Sequence, residues 1–175
     1  MDFNSITKHK ILTLIFLLKN NQILLGMKKR GFGIGKWNGF GGKVERGESI
    51  YESAKRELIE ECCLTPTNLK FIGFITFKYD IEEKPLQVNV FTSDSFEGEM
   101  KETEEMKPQW FDISDLPYDQ MWADDKYWYP LMFENKRFHA NFLFKGYDEI
   151  VSYSVQEVSE NELIDMHQKI VNYPL

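Results

Sequence analysis

The 175-residue sequence is poor in cysteine: it has two, Cys62 and Cys63, side by side. Sequence neighbours make no disulfide framework and four-ligand zinc spacing is absent, so this usage suits a reducing, cytoplasmic setting. Long apolar runs are also missing. The longest, Ile11 to Leu18, falls short of the roughly 20 residues that span a bilayer. Lys8 and Lys10 precede it as they would the core of a signal peptide, but Lys19, Asn20 and Asn21 follow where a small-residue cleavage site would stand. A buried first strand is therefore expected. The 3 histidines, His9, His139 and His167, are scattered and suggest structural or exposed positions rather than a catalytic cluster.

Positive charge is in deficit as well, with a formal net charge of −7. The deficit is uneven: residues 1–46 carry nine basic and two acidic side chains, residues 94–125 two basic and eleven acidic. This split argues against a nucleic-acid binder, whose basic surface must neutralise many phosphates. An anionic small molecule remains open, provided a cation mediates.

Apolar material is plentiful. With 42% hydrophobic residues, including 14 Phe, 8 Tyr and 4 Trp, the chain can bury a sizeable core, and its length suits one domain over 1–175. Ile11 to Leu18 and Gln22 to Met27 read as strands joined by a turn. Gly31 to Gly42 holds six glycines and predicts a loop. Its GFGIGKW stretch completes neither phosphate-loop motif. Ser49 to Cys62 predicts a helix, with Ile50, Ala54 and Leu58 as its stripe and Pro66 beyond its end. Leu69 to Tyr79, Leu86 to Thr92 and Gln109 to Asp112 predict strands. Tyr129 to Arg137 predicts a helix with Pro130 in its first turn, Asn141 to Phe144 and Ile150 to Val155 predict closing strands, and Glu160 to Val171 a helix with Leu163, Ile164, His167, Ile170 and Val171 on its apolar side. Such mixing predicts an α+β chain, a mixed sheet sandwiched between helices.

Glu57, Glu60 and Glu61 stand at i, i+3 and i+4 of the first helix. With Ala54 at zero they fall at about 300°, 240° and 340°, while Ile50 and Leu58 fall at about 320° and 40°. Acids that overlap an apolar stripe and repel one another call for a positive partner. Hard divalent cations take such oxygen ligands, and Mg2+ shares them with substrate phosphates.

From Gly42 to Leu64 the sequence reads GKVERGESIYESAKRELIEECCL. It resembles the Nudix signature at Gly42, Glu48, Arg56, Glu57, Leu58, Glu60, Glu61 and Leu64, with Cys63 in place of the second glycine. Six exact matches have a chance on the order of one in ten million per starting position. At a helix C-terminus, where glycine supplies a left-handed residue, cysteine costs about 1 kcal/mol and puts the turn geometry in question. KKRGFGIGKWNGFGGKV, EEMKPQWF and MWADDKYWYPL are further similar to the MutT-homologue branch, the oxidised-purine nucleoside triphosphatases. The resemblance runs from about Leu12 to Val158 and leaves 159–175 as a C-terminal helical extension.

The resemblance implies a Nudix fold and a magnesium-dependent enzyme, with Mn2+ as the alternative ion. Glu57, Glu60, Glu61, Glu105 and the Gly41 carbonyl would hold the metal. Glu61 and Glu57 are the candidate bases. Arg56 joins them in the catalytic set, read as a tie through Glu48 between helix and leading loop. Lys28 and Lys43 would face the phosphates, beside Phe40, Gly41 and Gly42. Thr13, Phe32, Asn38, Trp122, Ala123, Asp124 and Asp125 would form the purine pocket. Adjacent carboxylates on one purine edge cannot both ionise cheaply, so one should hold a proton. Moving that proton would let one pocket read a keto or an amino edge.

The implied reaction is hydrolysis of oxidised purine (deoxy)nucleoside triphosphates, 8-oxo-dGTP or 2-hydroxy-dATP, to monophosphate and pyrophosphate. The implied partner is the nucleotide alone, without nucleic acid or membrane, bound by a monomer. Hydrolysis of ADP-ribose or a dinucleotide, and nucleotide sensing without turnover, are the alternatives.

Overall fold

A computed structural model describes residues 9–171, with side chains through Lys169. Its elements are β1 (Lys10–Lys19), β2 (Gln22–Lys28), β3 (Trp37–Asn38), β4 (Phe40–Lys43), α1 (Ile50–Cys62), β5 (Thr65–Pro66), β6 (Lys70–Tyr79), β7 (Leu86–Ser93), β8 (Phe96–Glu97), β9 (Met106–Asp112), α2 (Asp125–Phe133), β10 (Phe138–Lys145), β11 (Glu149–Glu157) and α3 (Glu160–Val171). The main sheet runs β11-β10-β6-β7-β1-β2-β3, with β4 also on β1 and β9 also on β2. β1 lies parallel to β7 and β6 to β10, while the other pairs are antiparallel.

Strand alternation divides the core in two. Leu12, Leu14 and Phe16 of β1 face α2, where Trp128, Tyr129 and Met132 close one layer. Ile15 and Leu17 face the opposite side, against Ile50, Ala54, Leu58 and Cys62 of α1 and Leu163 of α3. The α+β sandwich expected from the sequence is thus the observed architecture. Among the described residues no helix is long and apolar enough to cross a membrane.

The first hairpin turns on Asn20 and Asn21, both left-handed at φ 54° and 58°, the backbone a two-residue primed turn requires. α1 begins at a capping box: Ser49 Oγ accepts the Glu52 N–H at 3.1 Å and Glu52 Oε2 accepts the Ser49 N–H at 2.7 Å. It ends on Cys63 at φ 65°, whose N–H donates to the Ile59 carbonyl at 2.9 Å. Cysteine therefore keeps the left-handed cap that glycine would supply.

Several boundaries differ from expectation. The loop predicted over Gly31 to Gly42 stops at Lys36, and β3 and β4 follow. Glycine serves close approach there: a Cβ at Gly41 would collide with the Thr13 carbonyl, and one at Gly42 with the Glu57 carboxylate. α2 starts at Asp125 rather than Tyr129, which puts Pro130 inside the helix. Burial of Trp128, Tyr129 and Met132, none above 2% exposed, outweighs the bond that proline forfeits. Asn135 at φ 56° then turns the chain, and β10 begins at Phe138. β9, β10 and β11 run longer than predicted because alternation continues past the apolar stretches. On α3, Leu163 is buried and His167 half-buried, but Ile164 is exposed; Ile170 and Val171 lie outside the described side chains.

Candidate active site

β1, β4 and the Gly31–Lys36 loop, with α1 behind and the start of α2 opposite, enclose a cleft of about 570 Å³. At one end, Glu61 is buried at 1% exposure with no protein partner for Oε2. Burial pushes its carboxyl up to about 8; the Lys28 charge opposes this, and Glu57 and Glu105 add to it. Lys28 Nζ donates to Glu105 Oε1 at 2.8 Å. Glu57 is half-buried and also raised, first by desolvation and against the pull of Arg56.

Arg56 organises this end from behind. Its Nε donates to Glu48 Oε1 at 2.6 Å and its Nη2 to Glu48 Oε2 at 3.0 Å. Nη1 reaches Glu57 Oε1 at 3.0 Å and Glu60 Oε2 at 3.2 Å, and Nη2 the Lys43 carbonyl at 3.3 Å. The guanidinium holds the Glu48 carboxyl below the usual range. This fork is the tie between helix and loop inferred from the spacing of Glu48 and Arg56.

The donor set suits a hard divalent cation: Glu61, with one buried, unpartnered oxygen, lines the cleft together with Glu105 and Gly41. Glu57 and Glu60 do not line the cleft; both are turned to Arg56, and Glu60 is exposed. Among the described residues the carboxylates do not converge on one point.

The other end is aromatic. Phe32 stacks on Trp122 with centroids 5.1 Å apart and planes at 30°. Lys36 Nζ lies 5.1 Å from a Trp122 ring centroid. Beneath them Asp124 and Asp125 are 3% and 2% exposed. Asp124 Oδ2 accepts the Trp128 Nε1–H at 2.9 Å, whereas Asp125 Oδ2 is unpartnered. Burial raises the Asp124 carboxyl to about 6, and burial together with the Asp124 charge raises Asp125 well above the usual range. One helix turn later Tyr129 is fully buried with its hydroxyl unpartnered.

Of the residues expected from sequence, Lys28, Phe32, Asn38, Gly41, Gly42, Lys43, Glu61, Glu105, Trp122, Asp124 and Asp125 line the cleft. Besides Arg56, Glu57 and Glu60, two residues fall outside the cleft, Phe40 and Ala123, and Thr13 lies on its border. Phe40 is fully buried in the layer under α1, because strand alternation turns it from the cleft. Ala123 packs beside the other core layer and does not line the cleft. Thr13 borders the cleft, yet its hydroxyl lies 3.3 Å from Ser53 Oγ, on the α1 side. β1 presents Leu12 and Leu14 to the cleft instead. Sequence reasoning also missed Arg30, Lys36, Phe77, Tyr79, Leu86 and Val88. Lys36 sits in the glycine loop already singled out, whereas Phe77 and Tyr79 carry no local mark.

The NUDIX domain family model matches residues 8–132. The chain is 52% identical over 151 residues to an oxidized purine nucleoside triphosphate hydrolase of Danio rerio, covering 86% of this chain and 97% of that protein. It is 46% identical over 149 residues to the Mus musculus protein of the same name, covering 85% and 96%. Among solved structures, that of a mutator MutT protein from Bacillus halodurans superposes with a TM-score of 0.75 at 28% identity, covering 84% of this chain and 97% of that one. With its signature running from β4 through α1 and Glu61 of that signature lining one end of the cleft, the chain belongs to the Nudix family.

Proposed function

We propose that this chain hydrolyses oxidised purine (deoxy)nucleoside triphosphates to the monophosphate and pyrophosphate, clearing miscoding precursors from the cytoplasmic nucleotide pool. The observation that carries the reading is one continuous cleft with a buried Asp124–Asp125 pair under an aromatic shelf at one end and Glu61, Glu105, Lys28 and Lys43 at the other. Such a cleft fits a planar base with two hydrogen-bonding edges joined to a polyanion. The names of the Danio rerio and Mus musculus relatives agree with it.

Mg2+, with Mn2+ as a substitute, would be held by Glu57, Glu60, Glu61, Glu105 and the Gly41 carbonyl, once Arg56 releases part of its hold on Glu57 and Glu60. When bound, the ion neutralises phosphate charge and makes water more acidic. Glu61, which lines the cleft, would shed the proton that burial holds on it when the ion's charge lies beside it, and so would be free to take a proton as the water oxygen bonds to phosphorus and the bridge between the α- and β-phosphates breaks. Lys28 and Lys43 stabilise the charge that passes to the departing pyrophosphate. Phe32 and Trp122 hold the base, and Asp124 and Asp125 read its edge. A monomer of one domain over 1–175, with α3 as a packed extension, suffices for these steps.

The test is a hydrolysis panel at equal low concentration: 8-oxo-dGTP, 2-hydroxy-dATP, dGTP, dATP, ADP-ribose and a diadenosine polyphosphate, with pyrophosphate and phosphate quantified separately. An oxidised purine triphosphate favoured about tenfold or more, yielding pyrophosphate, is the expected result. Preferential cleavage of ADP-ribose or the dinucleotide would overturn the base assignment. Tight nucleotide binding without turnover would identify a sensor.

A further inference from the structure

The glycine loop is closed by backbone hydrogen bonds between Lys28 and Lys36, Lys28 and Gly35, Gly31 and Ile34, and Gly33 and Lys36, but these do not fix the Phe32 side chain. Gly31, Gly33 and Gly35 are all left-handed, at φ 76°, 83° and 81°, and Phe32 between the first two is 57% exposed. A chain alternating with such glycines does little to fix the ring between them. Trp122 supports Phe32 on one face. Its second aromatic contact comes from the turn between β10 and β11, beyond residue 132 where the family match ends.

That contact is Tyr147. Its ring meets Phe32 edge-on, with centroids 5.1 Å apart at 72°, and meets Tyr79 of the cleft wall at 5.2 Å and 60°. Its hydroxyl donates to Glu82 Oε1 at 2.6 Å. The neighbouring Gly146 N–H donates to Asp80 Oδ1 at 2.7 Å, and the Asp80 N–H returns to the Phe144 carbonyl at 3.1 Å. The hairpin tip is thus pinned to the turn after β6, and from that anchor Tyr147 reaches the loop. A second link, Lys36 to Asp148 at 3.8 Å, is long, and the Asp148 side chain is 85% exposed. It adds little.

We infer that Tyr147 is a positioning residue for the nucleotide base: it holds Phe32 against Trp122, so that the stacking shelf exists before substrate arrives. The inference rests on the reading of the aromatic end as the base pocket. Preorganisation of this kind strengthens binding by removing the cost of ordering a loop, and leaves the phosphate chemistry at the far end untouched.

The test joins a readout on the free protein to one on the base. In the free protein, amide exchange is followed at Ile34, Gly35 and Lys36, whose N–H groups bond to the carbonyls of Gly31, Lys28 and Gly33 at 3.2, 2.8 and 3.0 Å. Tyr147→Ala should speed exchange there several-fold and leave α1 unchanged; Tyr147→Phe, which keeps the ring, should stay near wild type. The base is probed by metal-free titration with 8-oxo-dGMP, which lacks the outer phosphates. An aromatic contact alters an equilibrium by a factor of about two to ten, so Tyr147→Ala should weaken 8-oxo-dGMP by up to about tenfold. The KM for 8-oxo-dGTP should rise in proportion, with kcat within about twofold of wild type. Unchanged loop exchange in Tyr147→Ala overturns the proposal, as does faster exchange with unaltered 8-oxo-dGMP affinity. If exchange quickens but wild type binds no 8-oxo-dGMP, Tyr147 stands as the restraint on the loop and the base-pocket reading falls.

Discussion

The two ends of the cleft solve the same problem, a buried acid, in opposite ways. At the α1 end the carboxylates crowd together but are countered: Arg56 grips Glu48, Glu57 and Glu60, Lys28 holds Glu105, and Glu61 keeps a buried, unpartnered oxygen. At the α2 end Asp124 and Asp125 have, among the described residues, no cation in hydrogen-bond contact and depend on the Trp128 N–H and on protonation. Each end thus sets one acid that burial inclines to keep its proton, Glu61 at one and Asp125 at the other, beside acids that ionise more readily. Identical side chains take different tasks because their surroundings favour different protonation states.

Glu61→Gln should break the first end most severely. Loss of a general base typically lowers turnover by 10²–10⁴, so kcat should fall about 10³-fold with 8-oxo-dGMP affinity almost unchanged. Steady-state kinetics beside metal-free titration separates the two. Turnover within about tenfold of wild type would move the base to Glu57.

At the second end the prediction concerns pH. The Asp124 carboxyl is raised from 3.8 to about 6 by burial. A raised acid stabilises the fold below its unfolded pKa, and this contribution is lost as pH climbs through the folded value. Stability should therefore decline between about pH 4 and pH 6, by up to about 3 kcal/mol for this shift. Denaturant midpoints across that range should fall less steeply in Asp124→Asn than in wild type, the remaining slope coming from Glu61, Glu57 and Asp125, which are also raised. The ratio of 8-oxo-dGTP to 2-hydroxy-dATP hydrolysis should also vary with pH in wild type. In Asp124→Asn and Asp125→Asn that ratio should shift about tenfold. An unaltered substrate profile in both variants would remove the proton as the reader of the base.

Arg56→Ala tests whether the α1 end depends on its counter-ion. The fork is partly buried, with side-chain exposures of 24% for Arg56 and 13% for Glu48. Its removal should cost about 2 kcal/mol in urea unfolding, and Arg56→Lys should restore little, since an ammonium cannot reproduce the two-pronged bond. A full rescue by lysine would show that charge rather than geometry holds the loop.

The contrast between the ends also governs what a linear reading could reach. Glu57, Glu60 and Glu61 share adjacent turns of one helix, so their spacing carries their geometry, and Arg56 and Glu48 lie within the same stretch. Asp124 and Asp125 were legible through the similar tryptophan spacing around them. Tyr79 and Tyr147 were not: 68 positions separate them, and the β6–β10 parallel pairing that brings the end of β6 beside the β10–β11 turn leaves no local periodicity. α2 was misplaced for another reason. Proline favours a first helical turn, but burial of Trp128 and Tyr129 drew the helix start back to Asp125.

Thr13 offers the smallest effect and the finest division between the two ends. The resemblance placed it in the purine pocket, whereas strand alternation turns its hydroxyl to Ser53, 3.3 Å away and fully buried. Thr13→Val keeps the shape of the side chain and deletes only that bond. The variant should lose about 1 kcal/mol of stability, the cost of leaving one buried hydroxyl unpaired, while 8-oxo-dGMP affinity and the KM for 8-oxo-dGTP stay within about twofold. Ser53→Ala made together with Thr13→Val should recover part of the loss, because no unpaired hydroxyl remains. If nucleotide affinity falls instead while stability holds, the Thr13 hydroxyl reaches the substrate, and β1 must turn its residues differently once a nucleotide is bound.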